Sequence, residues 1–344
     1  YKRQRKDREQ NMAELIYSNP EIYRINVPLT GNPLKNLNCY VIKDGGESAV
    51  IDTGFRMEEC HRALMDGLHE IGVSPEHTKL LITHLHSDHI GLAASFDYPD
   101  TTIYMGETEY EYYRRMKEGD LLGRIDQQYR LEGFPEEELQ DAIKTNPASI
   151  YLPDATFPVT TLREGDEVRV GDTVLTALFM PGHTPGQMIF YIRDKKIMFL
   201  ADHLLFDITP NITKWAGVDN SLQQYMHNLD RLLEFDIAVA LPAHRGLANK
   251  RIKDRVGEIL AHHEKRLGQI MEVLKEHPGA TGYEIAGGLT WSMRGKAWKD
   301  APNRQKWFAV GETLAHLEYL QARGEIRQIK KEENGREVNS YILI

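Results

Sequence analysis

The sequence predicts an α/β protein with two β-rich blocks, a helical insertion between them and a small C-terminal domain of helices and a hairpin. Three observations predict it. Apolar runs of strand length, separated by Gly- and Asp-containing turns, occupy residues 22–51 and again 168–200. A charged, aromatic stretch without strand signals fills 107–150, and apolar residues at helical spacing dominate from 263 onward. Several segments also place a histidine or aspartate directly behind an apolar strand, where open α/β sheets collect their chemistry.

A chain of 344 residues has room for one large domain and a small appended one. The expected division is a tail at 1–17, a catalytic unit at 18–262 with its insertion at about 107–150, and a C-terminal unit at 263–344. Hydrophobic residues make up 41% and charged residues 27%, and no apolar run approaches the ~20 residues needed to span a bilayer, so no membrane partner is expected. The net charge of −9 repels phosphate backbones and counts against nucleic acid, although a local basic patch would escape that argument. Cys39 and Cys60 are too few for a disulfide framework and lack the paired spacing of a thiolate zinc site, which points to the cytoplasm. The opening residues contain no apolar core of a secretory signal.

In chain order, residues 23–27, 38–42 and 48–51 read as strands, and Asp44-Gly45-Gly46 joins the last two as a hairpin. From Glu58, Leu64, Leu68 and Ile71 recur at helical spacing, and the run 80–82 is a buried strand. Directly behind it stands Thr83-His84-Leu85-His86-Ser87-Asp88-His89-Ile90-Gly91. Three imidazoles and a carboxylate within six positions mix borderline and hard donors, a set suited to divalent transition metals. His84 and His86 lie two residues apart on one side of an extended chain and could grip one metal. Asp88 and His89 follow in a turn that Gly91 releases, aimed at a second. A lone histidine is more often a hydrogen-bonded core or surface residue, but four donors so close together are not explained that way. Asp52, closing the third strand, reads equally well as a carboxylate orienting a ligand imidazole and as a strand-end turn residue.

The insertion has more acids than bases, a poor surface for a polyanion, and its tyrosines at helical spacing read mostly as packing. It is expected to form a lid. Strands resume at 168–170, 173–178, 188–192 and 196–200, a second sheet repeating the first. His183 lies in Met180-Pro181-Gly182-His183-Thr184-Pro185-Gly186, Asp202 follows the strand ending at 200–201, and His244 follows the apolar run 237–241. All share one expected sheet edge with His84.

From about Asn38 to Arg245 the sequence resembles the metallo-β-lactamase superfamily. The resemblance rests on Ile51-Asp52-Thr53-Gly54, Thr83-His84-Leu85-His86-Ser87-Asp88-His89, Pro181-Gly182-His183-Thr184-Pro185-Gly186, Ala201-Asp202 and Pro242-Ala243-His244, in that order and spacing. It implies an αββα sandwich with a dinuclear site at one edge. By analogy His84, His86 and His183 bind the first metal, Asp88, His89 and His244 bind the second, and Asp202 bridges them. His86 stands where the flavodiiron oxygen reductases carry Glu, which favours a hydrolytic zinc site. The pairing of His89 with a bridging Asp202 is similar to glyoxalase II, lactonases and the ribonuclease branch rather than to true β-lactamases. Ala201 stands where Gly is usual, and Gln187 where Ser is common.

The C-terminal segment resembles a winged helix: apolar stripes through Leu267, Ile270, Met271 and Leu274 and through Trp307, Val310, Leu314, Leu317 and Leu320, then a hairpin turning at Glu333-Asn334-Gly335. Together the two parts are similar to superfamily members with an associated winged helix, a group that includes mitochondrial endoribonucleases and bacterial hydrolases. The expected activity is dinuclear metal-dependent hydrolysis of a small thioester, ester or lactone. A metal-bridging hydroxide would be the nucleophile, and Asp88 would be the catalytic proton carrier. The two ions are expected to be zinc, with iron or manganese as alternatives. The competing expectation is an RNA or other phosphodiester hydrolase, prompted by the winged helix. Against it, Arg304 and Lys306 are interleaved with Glu312 and Glu318, and Lys330, Lys331 and Arg336 with Glu332, Glu333 and Glu337. A winged helix also serves packing or homodimer formation, and a metal-free scaffold protein would have lost ligands that are all present here.

Overall fold

The computed structural model describes residues 12–119, 121–293, 295–333 and 335–344. Residues 1–11, the greater part of the expected tail, lie outside the described residues, as does Asn334 of the expected C-terminal turn. The remainder of that tail is instead a strand. β1 (Ala13–Ser18) pairs antiparallel with β2 (Glu21–Leu29), because its backbone completes the edge of the sheet while Ala13 enters the core.

β3 (Lys35–Asp44) and β4 (Glu47–Ile51) form the expected hairpin. Gly45 and Gly46 both take positive φ, 57° and 84°, the twist that a two-residue turn needs. α1 (Glu58–Glu70) then crosses to β5 (Lys79–Ile82), parallel to β4. After the single turn α2 (Ser87–Ile90) comes β6 (Thr102–Gly106), again parallel. The insertion is helical throughout: α3 (Glu107–Glu118), α4 (Leu121–Leu131), α5 (Glu136–Thr145) and α6 (Pro147–Tyr151). The short β7 (Thr160–Leu162) closes a seven-stranded sheet in sequential order.

The second sheet contains β8 (Glu167–Val170), β9 (Thr173–Phe179), β10 (Met188–Ile192) and β11 (Ile197–Ala201). After α7 (Ser221–Leu232), β12 (Val239–Pro242) returns parallel to β11 and completes the order β12-β11-β10-β9-β8. Strand alternation sorts the side chains. Tyr40 and Ile42 face Phe190 and Phe199 between the sheets, while Leu37, Cys39 and Val41 turn outward under Leu64 and Leu68 of α1. The opposite face of the second sheet, through Ile189, Met198 and Leu200, is covered by helices. The result is a mixed α/β sandwich with helices outside both sheets.

The C-terminal segment comprises α8 (Ile252–Glu276), α9 (Gly282–Gly288), α10 (Asn303–Ala322) and the antiparallel pair β13 (Ile326–Glu333) and β14 (Arg336–Leu343). α8 runs unbroken through the expected division at 262/263, because one buried stripe, Val256, Ile259, Leu267, Ile270 and Leu274, spans it. Val310, Leu314 and Leu317 of α10 belong to the same cluster as Leu200 and Leu204, so this segment shares the core of the second sheet.

The insertion is pinned to that segment. Lys306 Nζ pairs with Glu138 at 2.8 Å, and buried Glu132 accepts hydrogen bonds from Asn339 Nδ2 (2.6 Å) and the Tyr341 hydroxyl (3.0 Å). Tyr112 and Tyr113 are buried, their hydroxyls donating to the carbonyls of Ala216 and Ala155, so these two tyrosines do pack the insertion down. Among the described residues no helix is long and apolar enough to cross a membrane.

Candidate metal centre

Every sequence-predicted ligand reaches one edge of the sandwich. The segment between β5 and α2 supplies His84 and His86, α2 supplies Asp88 and His89, the β9–β10 connection supplies His183, and β11 and β12 end just before Asp202 and His244. The donors fall into two groups, His84, His86, His183 and Asp202, then Asp88, His89 and His244, with donor atoms in each group within 4.8 Å of one another. In the first, His86 Nδ1 lies 3.1 Å from His84 Nε2 and 3.0 Å from His183 Nε2, and Asp202 Oδ2 lies 3.5 Å from His183 Nε2. In the second, His244 Nε2 lies 3.2 Å from His89 Nε2 and 3.5 Å from Asp88 Oδ2. The other oxygen of Asp202, Oδ1, lies 3.2 Å from His244 Nε2 and 3.6 Å from His89 Nε2, so this carboxylate offers one oxygen to each group.

These separations suit metal ions. Donors about 2.1 Å from one tetrahedral ion stand about 3.4 Å apart. Asp88 Oδ2 and Asp202 Oδ1 are buried with no hydrogen-bond partner, which is costly unless a cation faces them. The residues therefore fit a pair of divalent ions.

The far side of most rings is fixed as well. His183 Nδ1 faces the Asn211 carbonyl at 3.1 Å, and His244 Nδ1 faces the Asn36 carbonyl at 2.7 Å, which leaves each Nε2 for the site. Asp52 fulfils both of its readings, turning the chain at the end of β4 and orienting an imidazole. Its Oδ2 lies 2.7 Å from His89 Nδ1 and accepts from the Thr83 hydroxyl at 2.8 Å, and Thr83 Oγ1 in turn lies 2.9 Å from His84 Nδ1. Asp52, Ala201 and Arg245 all adopt left-handed backbone, with φ of 61°, 48° and 66°. At roughly 1–3 kcal/mol each, such turns bend the chain sharply where strands deliver ligands.

Three contributors carry no local sequence signal strong enough to single them out. Glu109, in the first turn of α3, is fully buried; its carboxylate accepts from the Leu85 N–H at 2.7 Å and the Gly186 N–H at 2.5 Å. It thus clasps the two loops that carry His84, His86 and His183. One sign was available: Glu109 shares a helical stripe with Tyr112, Tyr113 and Met116, all buried. Trp215 donates from Nε1 to the His183 carbonyl at 3.0 Å, its ring centroid 5.8 Å from that of His86. Asn211 acts through its backbone carbonyl, which no side-chain pattern reveals.

Electrostatics divides the two groups. Burial pushes His86 down to about 4 and His183 down to about 3, so both are neutral donors at pH 7. Burial also opposes the charge on His89, but Asp52, Asp202 and Asp88 together overcome it and raise the ring to about 9. His244 is raised similarly, chiefly by Asp202. Burial pushes Glu109 up to about 7 despite the two N–H groups it accepts. Metal uptake by the second group therefore displaces protons at pH 7, and that affinity weakens as pH falls from about 9. Titrating metal into chelator-stripped protein in weak buffer is expected to release protons with the second group's occupancy. Each filled site should add about 2.7 kcal/mol of stability at 100 times its Kd, read as a raised Tm. Proton-neutral uptake with an unchanged Tm would remove the basis for this assignment.

Comparison with known proteins agrees with the geometry. A family model described as the metallo-beta-lactamase superfamily matches residues 33–244. The metallo-beta-lactamase family protein TTHA1429 from Thermus thermophilus superposes with a TM-score of 0.76 at 27% identity, over 94% of this chain and 98% of its own. A beta-lactamase domain protein from Burkholderia ambifaria shares the fold, with a TM-score of 0.75 at 20% identity over 96% and 93% of the two chains. By sequence, the lactamase-like protein adaB of Aspergillus niger is 25% identical over 326 residues, 83% of this chain and 86% of its own. The acyl-coenzyme A thioesterase MBLAC2 of Bos taurus is 25% identical over 208 residues, 57% of this chain and 67% of its own. The matched span covers more than half of the sequence and contains all seven candidate ligands, and the chain belongs to the metallo-beta-lactamase superfamily.

Proposed function

We propose that the protein is a dinuclear metal-dependent hydrolase of a thioester, with small esters and lactones as the neighbouring chemistry. The observation that carries this reading is the position of Asp202, whose two oxygens face the two donor groups separately. Two divalent ions, zinc by preference for this His-rich set and otherwise iron or manganese, would supply an activated water near neutral pH and polarise the carbonyl under attack.

The chain's own residues do the rest. His84, His86 and His183 are neutral donors, and the Asn211 carbonyl, accepting from Nδ1–H, holds His183 in the tautomer that leaves Nε2 free for the site. Asp88, buried and with Oδ2 lacking a hydrogen-bond partner, is placed to carry a proton to the leaving sulfur or oxygen. Trp215 and Tyr112, with ring centroids 5.5 Å apart, stand on the side next to His86. The likeness to a thioesterase that acts on acyl-coenzyme A supports the choice of thioester. A cytoplasmic setting belongs to the same reading, with Cys39 and Cys60 both buried free thiols.

The phosphodiester alternative draws on the winged-helix reading of residues 263–344. α10 is buried on every side through its middle, from Ala309 to Leu317, and Lys330 and Lys331 pair with Glu337 and Glu284. These contacts support a packing role for the segment over a nucleic-acid surface.

Thiol release from a panel of acyl-coenzyme A and acyl-glutathione thioesters by zinc-loaded protein tests the proposal. Turnover is expected with the wild type and should fall at least roughly 100-fold in His86→Ala, which removes a donor of the first group. Absence of turnover from protein holding two ions would reject thioesters and direct attention to lactones and RNA.

A further inference from the structure

The segment 203–220 lies between the metal centre and the C-terminal helix α10, and it touches both. On its inner side the Asn211 carbonyl faces His183 Nδ1 at 3.1 Å, and Trp215 Nε1 donates to the His183 carbonyl at 3.0 Å. Its outer side is held by α10. Asn211 Nδ2 donates to Glu312 Oε2 at 2.8 Å, the Lys214 N–H donates to the Gly311 carbonyl at 3.1 Å, and the Asn220 N–H donates to Glu318 Oε2 at 3.1 Å. The approach is close enough that a Cβ on Gly311 would collide with Thr213 Oγ1 and the Tyr129 hydroxyl.

Of the two carboxylates in this contact, Glu312 is the buried one, 7% exposed. Burying a carboxylate is costly, and packing alone would be served as well by an uncharged side chain. Here the charge is balanced by Arg266, whose Nε lies 3.4 Å from Glu312 Oε1. The same guanidinium sits 3.8 Å above the Trp291 ring and donates to the Thr290 carbonyl at 2.9 Å. A carboxylate anchored in this way makes a stronger hydrogen bond to Asn211 Nδ2 than a neutral acceptor would. Asn211, held there, keeps its own carbonyl on the His183 ring.

We propose that Glu312 is a positioning residue for the metal centre: acting through Asn211 it fixes the tautomer and aim of His183, so that the C-terminal segment sets the affinity of the first donor group. The inference rests on the metal reading of the site. It gives the C-terminal segment a task in the chemistry that requires no nucleic acid and no second copy of the chain.

Cobalt(II) titration followed by visible absorption tests it without any substrate, with His84→Ala and His89→Ala assigning the spectra of the first and second groups. Glu312→Ala and Asn211→Ala are each expected to weaken first-group binding by roughly 10–100-fold, the range seen when a group behind a metal ligand is removed, while second-group binding changes less than about threefold. Glu312→Gln retains an oxygen acceptor for Asn211 and should recover most of the loss. If Glu312→Ala does not fold, Asn211→Ala and Glu312→Gln carry the comparison, since both keep the helix packing. Folded Asn211→Ala protein with wild-type cobalt affinity in both groups would overturn the proposal, as would an equal loss in both, which a packing defect predicts. Wild-type protein that takes up no cobalt would overturn the metal reading itself, an outcome separate from a wild type that binds two ions indifferently to position 312.

Discussion

Asp202→Asn is expected to lower hydrolysis by roughly 10³-fold, the order lost when a group acting on the reacting atoms is removed. It should also cost the protein bound metal. Asp202 Oδ2 faces the first group and Oδ1 the second, both buried. Asn keeps one oxygen but turns an NH₂ toward the other group, and that NH₂ has no lone pair to offer a cation there. The substitution also removes a charge that raises His89 and His244, while burial continues to oppose their protonated forms. Turnover and metal content per chain, measured on the same preparation, check this. A variant with two ions and activity within tenfold of wild type would end the bridging assignment.

Glu109→Ala is expected to be the most damaging single change outside the ligands themselves. It would strand the buried N–H groups of Leu85 and Gly186, each worth about 1–3 kcal/mol when left without an acceptor. A total loss of roughly 2–6 kcal/mol is a large share of the ~5–15 kcal/mol that holds a typical protein folded. The function should suffer in parallel, because those N–H groups lie in the loops that carry His84, His86 and His183. Glu109→Gln offers one carbonyl oxygen but sets its NH₂ against the second N–H, so an intermediate loss is expected. Urea denaturation of metal-loaded and stripped proteins reads the effect; an unchanged midpoint in Glu109→Ala would remove the clasp from the account.

The candidate donors were legible because His84, Asp202 and His244 each stand within two residues of the end of an apolar strand, and because His86, Asp88 and His89 crowd the turn behind the first of them. With His183 from the β9–β10 loop, these residues gather into two groups that could each hold a metal ion. The residues that hold the ligands were harder to read. Asp52 had two local readings, and the contact that reveals the orienting one is with His89, 37 positions away. Glu109 lay in a run of acids that resembles solvated surface, and its buried stripe with Tyr112 and Tyr113 is visible only once the helix is granted. Among the strands, β1, β6 and β7 escaped notice, since short or mixed segments at a sheet's far side gain their identity from pairing. The boundary expected at 262/263 falls inside helix α8, which has no composition shift there and whose apolar stripe joins one continuous core.

The left-handed turns at Asp52, Ala201 and Arg245 limit which sequences can inherit this edge. A β-branched side chain at such a position fits poorly, whereas Gly, Asn and Asp fit readily, so the spelling of the strand end is governed by backbone shape as much as by metal chemistry. Ala201, with φ of 48°, occupies a conformation that suits glycine better. A substitution at one of these strand ends would therefore disturb the backbone path that carries the neighbouring donors, and not only the donors' chemistry.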